Sequence, residues 1–192
     1  ESYASQLFCG ASNPELQRFV ANQLEGKTIV NLGGGNAKIA KELRDDFNVN
    51  INMTNVEPYP SEASLNNPEA DPLNISNPAE LDFVEKSGIS PHSVDEVLAV
   101  FSVPAYLGTV EEVRTLFENV KTILKPGGHA RFSHLGIVGA QEGDARVGAI
   151  VSALELAAGQ GYTVEIVKTN IINLILTAPE DTYHDMLDKD AV

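Results

Sequence analysis

The chain has 192 residues, 43% of them hydrophobic and 21% charged, a balance that suits one globular domain with a full core and leaves little room for a second. Its 13 basic and 27 acidic side chains give a net charge of -14, so the summed field repels phosphate backbones and anionic membrane surfaces. No apolar run is long enough to span a bilayer, and with one cysteine, Cys9, there is no intrachain disulfide and no cysteine-based zinc framework.

The sequence opens on Glu1, with no basic segment and apolar run ahead of the first element, so the expectation is a trimmed or processed start, no signal peptide and a cytoplasmic setting. Asn13-Pro14-Glu15 reads as a helix cap, a first-turn proline and a dipole-favoured acid. Leu16, Phe19, Val20 and Leu24 then follow helical spacing, and Gly26 ends the helix. Lys27 to Leu32 has the β-branched character of a buried strand, halted by Gly33, Gly34 and Gly35.

Ile39, Ala40, Leu43 and Phe47 predict the next helix, and Val49 to Val56 a second strand ending at Glu57-Pro58. Tyr59 to Pro78 is rich in Pro, Asn and Ser and predicts a loop, with a short helix near Ser61 to Leu65 and a brief third strand around Leu73 to Ile75. Asn77-Pro78-Ala79-Glu80 repeats the cap signature and starts a short helix through Val84, closed by Gly88. Asp95 to Val103 reads as a fourth strand.

Thr109 with Glu112 predicts a capping box, and Val113, Leu116, Phe117, Val120, Ile123 and Leu124 form one apolar helical face. The basic cluster Lys121, Lys125 and Arg131 surrounds the end of that helix, where cations complement the dipole, and so does not argue for nucleic acid. After Lys125-Pro126-Gly127-Gly128 a strand runs from His129 to about Leu135. Val147, Ile150, Val151 and Leu154 give a further helix, followed by strands over Tyr162 to Val167 and Ile171 to Thr177. A connection as short as Thr169-Asn170 forces those two strands antiparallel, while the alternation before them implies a parallel sheet. The acidic stretch from Pro179 onward reads as a solvated tail.

The order of elements and the residues at their ends resemble the class I S-adenosylmethionine-dependent methyltransferases over roughly Lys27 to Thr177. Val30-Asn31-Leu32-Gly33-Gly34-Gly35-Asn36-Ala37 resembles the family's first motif, Asn55-Val56-Glu57-Pro58 its acidic second strand end, Ser93 to Ala99 its approach to the fourth strand, and Leu124 to Gly128 the turn before its fifth. The resemblance implies a Rossmann-like α/β three-layer sandwich, with a mostly parallel seven-stranded sheet ending in a C-terminal antiparallel hairpin. It implies one domain, with a cap helix over 1–26, a core over 27–178 and an acidic tail over 179–192.

For the site, the resemblance implies S-adenosylmethionine held by Asn31, Gly33, Gly34, Gly35, Asn36, Glu57 and Pro58. Glu57 accepts from the ribose hydroxyls, either Asp71 or Asn74 bonds the adenine amine, and Phe101 and Ser102 border the same crevice. Glycines after a strand end let a ligand approach the backbone without a Cβ in the way, which is the physical ground for the first part of that set. Two positions depart from the family pattern: Asn31 replaces an acid and offers only an amide oxygen to the methionine ammonium, and Ala37, or Asn36 in a shifted register, replaces a glycine.

Methyl transfer needs alignment more than a protein base, and the candidates for contact with the acceptor are His134, near the end of the fifth strand, and Tyr106. Ser102-Val103-Pro104-Ala105-Tyr106 lies where some amine methylators carry an Asn/Asp-Pro-Pro-aromatic motif, but Ser102, Val103 and Ala105 break that pattern. His92 and Asp95 lack a third ligand, so no metal is predicted. The expected function is methyl transfer to a small-molecule acceptor, with no nucleic acid or membrane partner. Two alternatives remain open at this point: a methyltransferase-like domain that only binds, and a nicotinamide-dependent oxidoreductase, although the latter's third fingerprint glycine is here Lys38.

Overall fold

The computed structural model describes residues 13–33, 38–57, 66, 70–73, 84, 88–100, 102, 104, 107, 109–133, 145–168 and 172–180. Helix α1 (Pro14–Asn22) leads into β1 (Thr28–Leu32), α2 (Lys38–Phe47), β2 (Asn52–Val56) and β3 (Ala70–Leu73). The second half runs through β4 (Val94–Val100), α3 (Val110–Ile123), β5 (Leu124–Ser133), α4 (Ala145–Gly159), β6 (Thr163–Lys168) and β7 (Ile172–Thr177).

The seven strands form one sheet in the order β3-β2-β1-β4-β5-β7-β6. β1 pairs parallel with β2 and β4, β2 with β3, and β4 with β5, while β7 runs antiparallel between β5 and β6. This is the mostly parallel sheet with a terminal hairpin that the sequence predicts. An antiparallel strand wedged beside β5 departs from the 3-2-1-4-5-6 order of dinucleotide-binding folds, which weakens the oxidoreductase alternative.

Strand alternation sends Val30, Leu32 and Val56 to a core completed by α3, through Val113, Leu116, Phe117, Val120 and Ile123. Ile29, Met53, Leu98 and Val100 point to the opposite face and pack with Ile39, Ala40 and Leu43 of α2 and with Ala21 and Leu24. The predicted cap at Thr109 is present: its side chain accepts from Glu112 N–H, and Glu112 reaches back to the Thr109 N–H. Phe132 meets Phe117 at 5.5 Å between ring centres, joining β5 to α3.

Several predicted elements shift. The third strand is Ala70–Leu73, not Leu73 to Ile75; Pro72 is tolerated there because β3 lies at the sheet edge, where one side of the backbone needs no ladder partner. β4 stops at Val100 rather than Val103. β5 already pairs at Leu124, before the Pro-Gly-Gly turn, with the irregularity absorbed between the Val94 and Glu96 positions of β4. Of the residues read at helical spacing here, Leu24 is buried and Val20 packs against the core, but Phe19 is 62% exposed, with Ala21 buried beside them.

Lys121 stands in the last turn of α3 and Lys125 just beyond it, as expected, but Arg131 lies on β5 and belongs elsewhere. Lys121 donates to the Gln160 carbonyl, Lys125 to Asp95 at 2.7 Å, and Arg131 to Glu96 at 3.2 Å, so the three cations serve different partners. The predicted helix near 61–65, most of that over 77–84 and the tail beyond Glu180 lie outside the described residues. No helix among the described residues is long and apolar enough to cross a membrane.

Candidate functional site

The chain moves outward from β1 through β2 to β3, then crosses back to β4 on the other side of β1. In a parallel sheet the connections after two such strands leave in opposite directions and open a crevice at their carboxyl ends. Here that point lies between Leu32 and Val100.

Gly33 starts the bend after β1 with φ +63, and its N–H donates to the Val56 carbonyl at 2.8 Å. Glycine is required there twice over. A side chain would sit in the left-handed region, and its Cβ would come within 2.7 Å of Ser102 Cβ. Ser102, 6% exposed, donates its hydroxyl to the Leu32 carbonyl at 2.7 Å. Together Gly33 and Ser102 tie the ends of β1 and β4, and the Ser102 hydroxyl is committed to the backbone rather than directed outward.

Glu57 follows directly on β2, half-buried, and the Gly33 to Val56 hydrogen bond holds the β1 bend alongside it. Asp71 is in β3, opposite Thr54, on a strand that starts earlier than the sequence predicts. Gly34, Gly35, Asn36, Ala37, Pro58, Asn74, Phe101, Tyr106 and His134 lie outside the described residues.

Below the bend, Asn31 and Asn55 face each other in register on β1 and β2, both fully buried. Asn31 Nδ2 donates to Asn55 Oδ1 at 2.9 Å, and Asn31 Oδ1 and Asn55 Nδ2 have no partner among the described residues. A buried orphan acceptor and a buried orphan donor are uncommon in folded proteins and call for a physical reason. The sequence reading found Asn31 but missed Asn55. An asparagine inside a strand buried on both faces was the available signal, since such strands are otherwise close to uniformly apolar. Ser133, at the end of β5 and paired with Asn173 of β7, is a further missed position: its hydroxyl is buried without a partner.

No metal-binding group of three or more His, Cys, Asp or Glu side chains occurs among the described residues. His92 points its Nδ1 at the Leu124 carbonyl at 3.0 Å, and Asp95 is engaged by Lys125 and by the Thr28 N–H. Burial pushes the Asp95 carboxyl up, but those two hydrogen bonds and the neighbouring lysine charges hold it below its ordinary value.

No protein-family model matches the sequence, and no curated protein matches it. Solved structures do match in fold. A methyltransferase from Pyrococcus furiosus is 18% identical with a TM-score of 0.58, over 87% of this chain and 84% of that one. A TehB-like S-adenosylmethionine-dependent methyltransferase from Corynebacterium glutamicum is 14% identical with a TM-score of 0.57, over 93% and 89%. Aeropyrum pernix fibrillarin, solved with natively bound S-adenosyl-L-methionine, is 17% identical with a TM-score of 0.54, over 79% and 66%. The chain has the Rossmann-like fold of the class I S-adenosylmethionine-dependent methyltransferases.

Proposed function

We propose that this protein is an S-adenosylmethionine-dependent methyltransferase acting on a small-molecule acceptor. What supports the reading is the β1/β4 switch point in the strand order, where Gly33 lies against Ser102, Glu57 directly follows β2, and Asn31 Oδ1 is buried without a partner among the described residues. Those groups fit a nucleoside that carries an amino-acid chain. Glu57 accepts from the sugar diol, Asn31 Oδ1 accepts from the ammonium, and Gly33 to Gly35 let the chain lie against the backbone. By the family resemblance, Asn36, Pro58 and Phe101 are assigned to the same ligand, and Asp71 or Asn74 to its adenine amine.

When bound, the cofactor supplies a methyl group activated by a sulfonium. The protein's part is to hold the acceptor nucleophile in line with that methyl and to exclude water, tasks that need no dedicated base for many acceptors. His134 and Tyr106 are the residues proposed to touch the acceptor. The net charge of -14 favours a small acceptor over a polyanion.

A thermal-shift titration with S-adenosylmethionine, S-adenosylhomocysteine and NAD tests the reading, because a ligand that binds only the folded state raises Tm. Both sulfur nucleosides are expected to raise it, and NAD to leave it unchanged. Stabilisation by NAD alone would assign the crevice to a dinucleotide, and no response to any of the three would leave a scaffold without this cofactor.

A further inference from the structure

The amide pair at the base of the crevice is one partner short. Two asparagines joined by a single side-chain hydrogen bond always leave one carbonyl oxygen and one amide nitrogen over, whichever way the two amides are turned. Asn31 Oδ1 and Asn55 Nδ2 are those atoms here, both side chains being fully buried. A group that completes the pair must therefore bring a donor and an acceptor together.

The position narrows what that group is. Asn31 lies two residues before Gly33 and Asn55 two before Glu57, on strands in register, so the pair sits directly under the bend proposed to carry the ligand. An acid at either position would be a buried charge, which needs a paired cation. Two neutral amides avoid that cost and suit a ligand end that is itself neutral in sum, with an ammonium and a carboxylate side by side.

We infer that Asn55 is a positioning residue that, by taking the Asn31 Nδ2 hydrogen bond, fixes Asn31 Oδ1 as the acceptor for an α-ammonium and turns its own Nδ2 to the α-carboxylate of the same ligand. The pair then recognises an amino-acid zwitterion by oriented dipoles rather than by a charge. This rests on the methyltransferase reading, whose cofactor ends in that group, and adds to it both a residue and a reason for Asn31.

The test compares binding of S-adenosylhomocysteine with that of 5′-methylthioadenosine, the same nucleoside thioether without the amino-acid end, by isothermal titration calorimetry. Asn55→Val keeps a β-branched strand former but removes both polar atoms, and Asn55→Thr restores a hydroxyl that can accept and donate. Asn55→Val is expected to weaken S-adenosylhomocysteine about tenfold, the size of a lost hydrogen bond to a charged group, and to leave methylthioadenosine within about twofold. Asn55→Thr is expected to recover most of that loss, and it keeps the test decisive if the valine variant folds poorly. Equal weakening of both nucleosides by Asn55→Val, or an Asn55→Thr variant that binds S-adenosylhomocysteine no better than Asn55→Val, overturns the inference while leaving the cofactor assignment in place. Failure of wild type to bind either nucleoside overturns that assignment and the inference with it.

Discussion

Two buried polar groups occupy the same face of the sheet, separated by Ile29, Met53 and Leu98, and the fold treats them in opposite ways. At the amino end Glu96, 1% exposed, meets Lys27 at 3.0 Å, Arg131 at 3.2 Å and His129 Nδ1 at 3.3 Å. At the carboxyl end the Asn31–Asn55 pair has one hydrogen bond and two orphaned atoms. A buried charge with partners just before β1 and on β5 ties β4 to both neighbours and has nothing left to offer a ligand. A neutral pair with spare valences stabilises the apo fold less and keeps a donor and an acceptor available.

Removing the carboxylate at the amino end should have the largest effect on stability. Glu96→Ala strands the cations that converge on it and is expected to cost about 3 kcal/mol in urea denaturation, at the low end for breaking a buried pair because Lys27 and Arg131 reach water. S-adenosylhomocysteine affinity, measured below the melting range, should not change. Burial raises the Glu96 carboxyl, but the His129 hydrogen bond, the Arg131 charge and Lys27 together hold it below its ordinary value of 4.5. A depressed folded value means stability that is complete above the unfolded value and lost as pH falls through the folded one. Wild type should therefore lose stability on acidification from about pH 4.5 downward more steeply than Glu96→Gln. Equal acid slopes would place the contribution elsewhere.

Gly33→Ala comes next, at about 2 kcal/mol, from left-handed backbone strain and from the 2.7 Å approach to Ser102 Cβ. Adding Ser102→Gly removes the clash but not the strain. The double variant should regain part of the loss in a double-mutant cycle, and strict additivity would show that the two residues do not touch. The smallest change has the opposite sign: Asn31→Val with Asn55→Val eliminates both orphans at once and is expected to stabilise the protein by about 1 kcal/mol while abolishing S-adenosylhomocysteine binding. A stabilised variant that still binds would remove the carboxyl-end pair from the site.

The sequence carried the architecture because β-branched runs, glycine stops and the short Thr169-Asn170 link are local signals, and the sheet order follows from them under the rule that parallel returns need long crossovers. β3 was misplaced because a proline reads as a strand breaker until the strand is known to lie at an edge. Phe19 was misassigned because helical spacing leaves the edge of a face open: Val20 and Leu24 turn inward while Phe19, one residue round the helix, faces solvent. Gly33 and Asn31 stood out at the strand end, whereas Asn55 in the candidate site and Glu96 at the opposite end did not. Each acquires its meaning from a partner on another strand, and the registers Asn31 to Asn55 and Glu96 to His129 cannot be read from either segment alone. Arg131 shows the same limit: grouped with Lys121 and Lys125 by sequence proximity, it belongs to Glu96.

The most direct test of the division between the two ends is to titrate S-adenosylhomocysteine into isotopically labelled protein and follow amide resonances by NMR. Shifts should concentrate at Gly33, Glu57, Ser102 and the side-chain amides of Asn31 and Asn55, with Thr28, Glu96 and Arg131 unmoved. Shifts centred on the Glu96 end, or a saturating ligand that leaves Gly33 and the asparagine amides in place, would contradict the account.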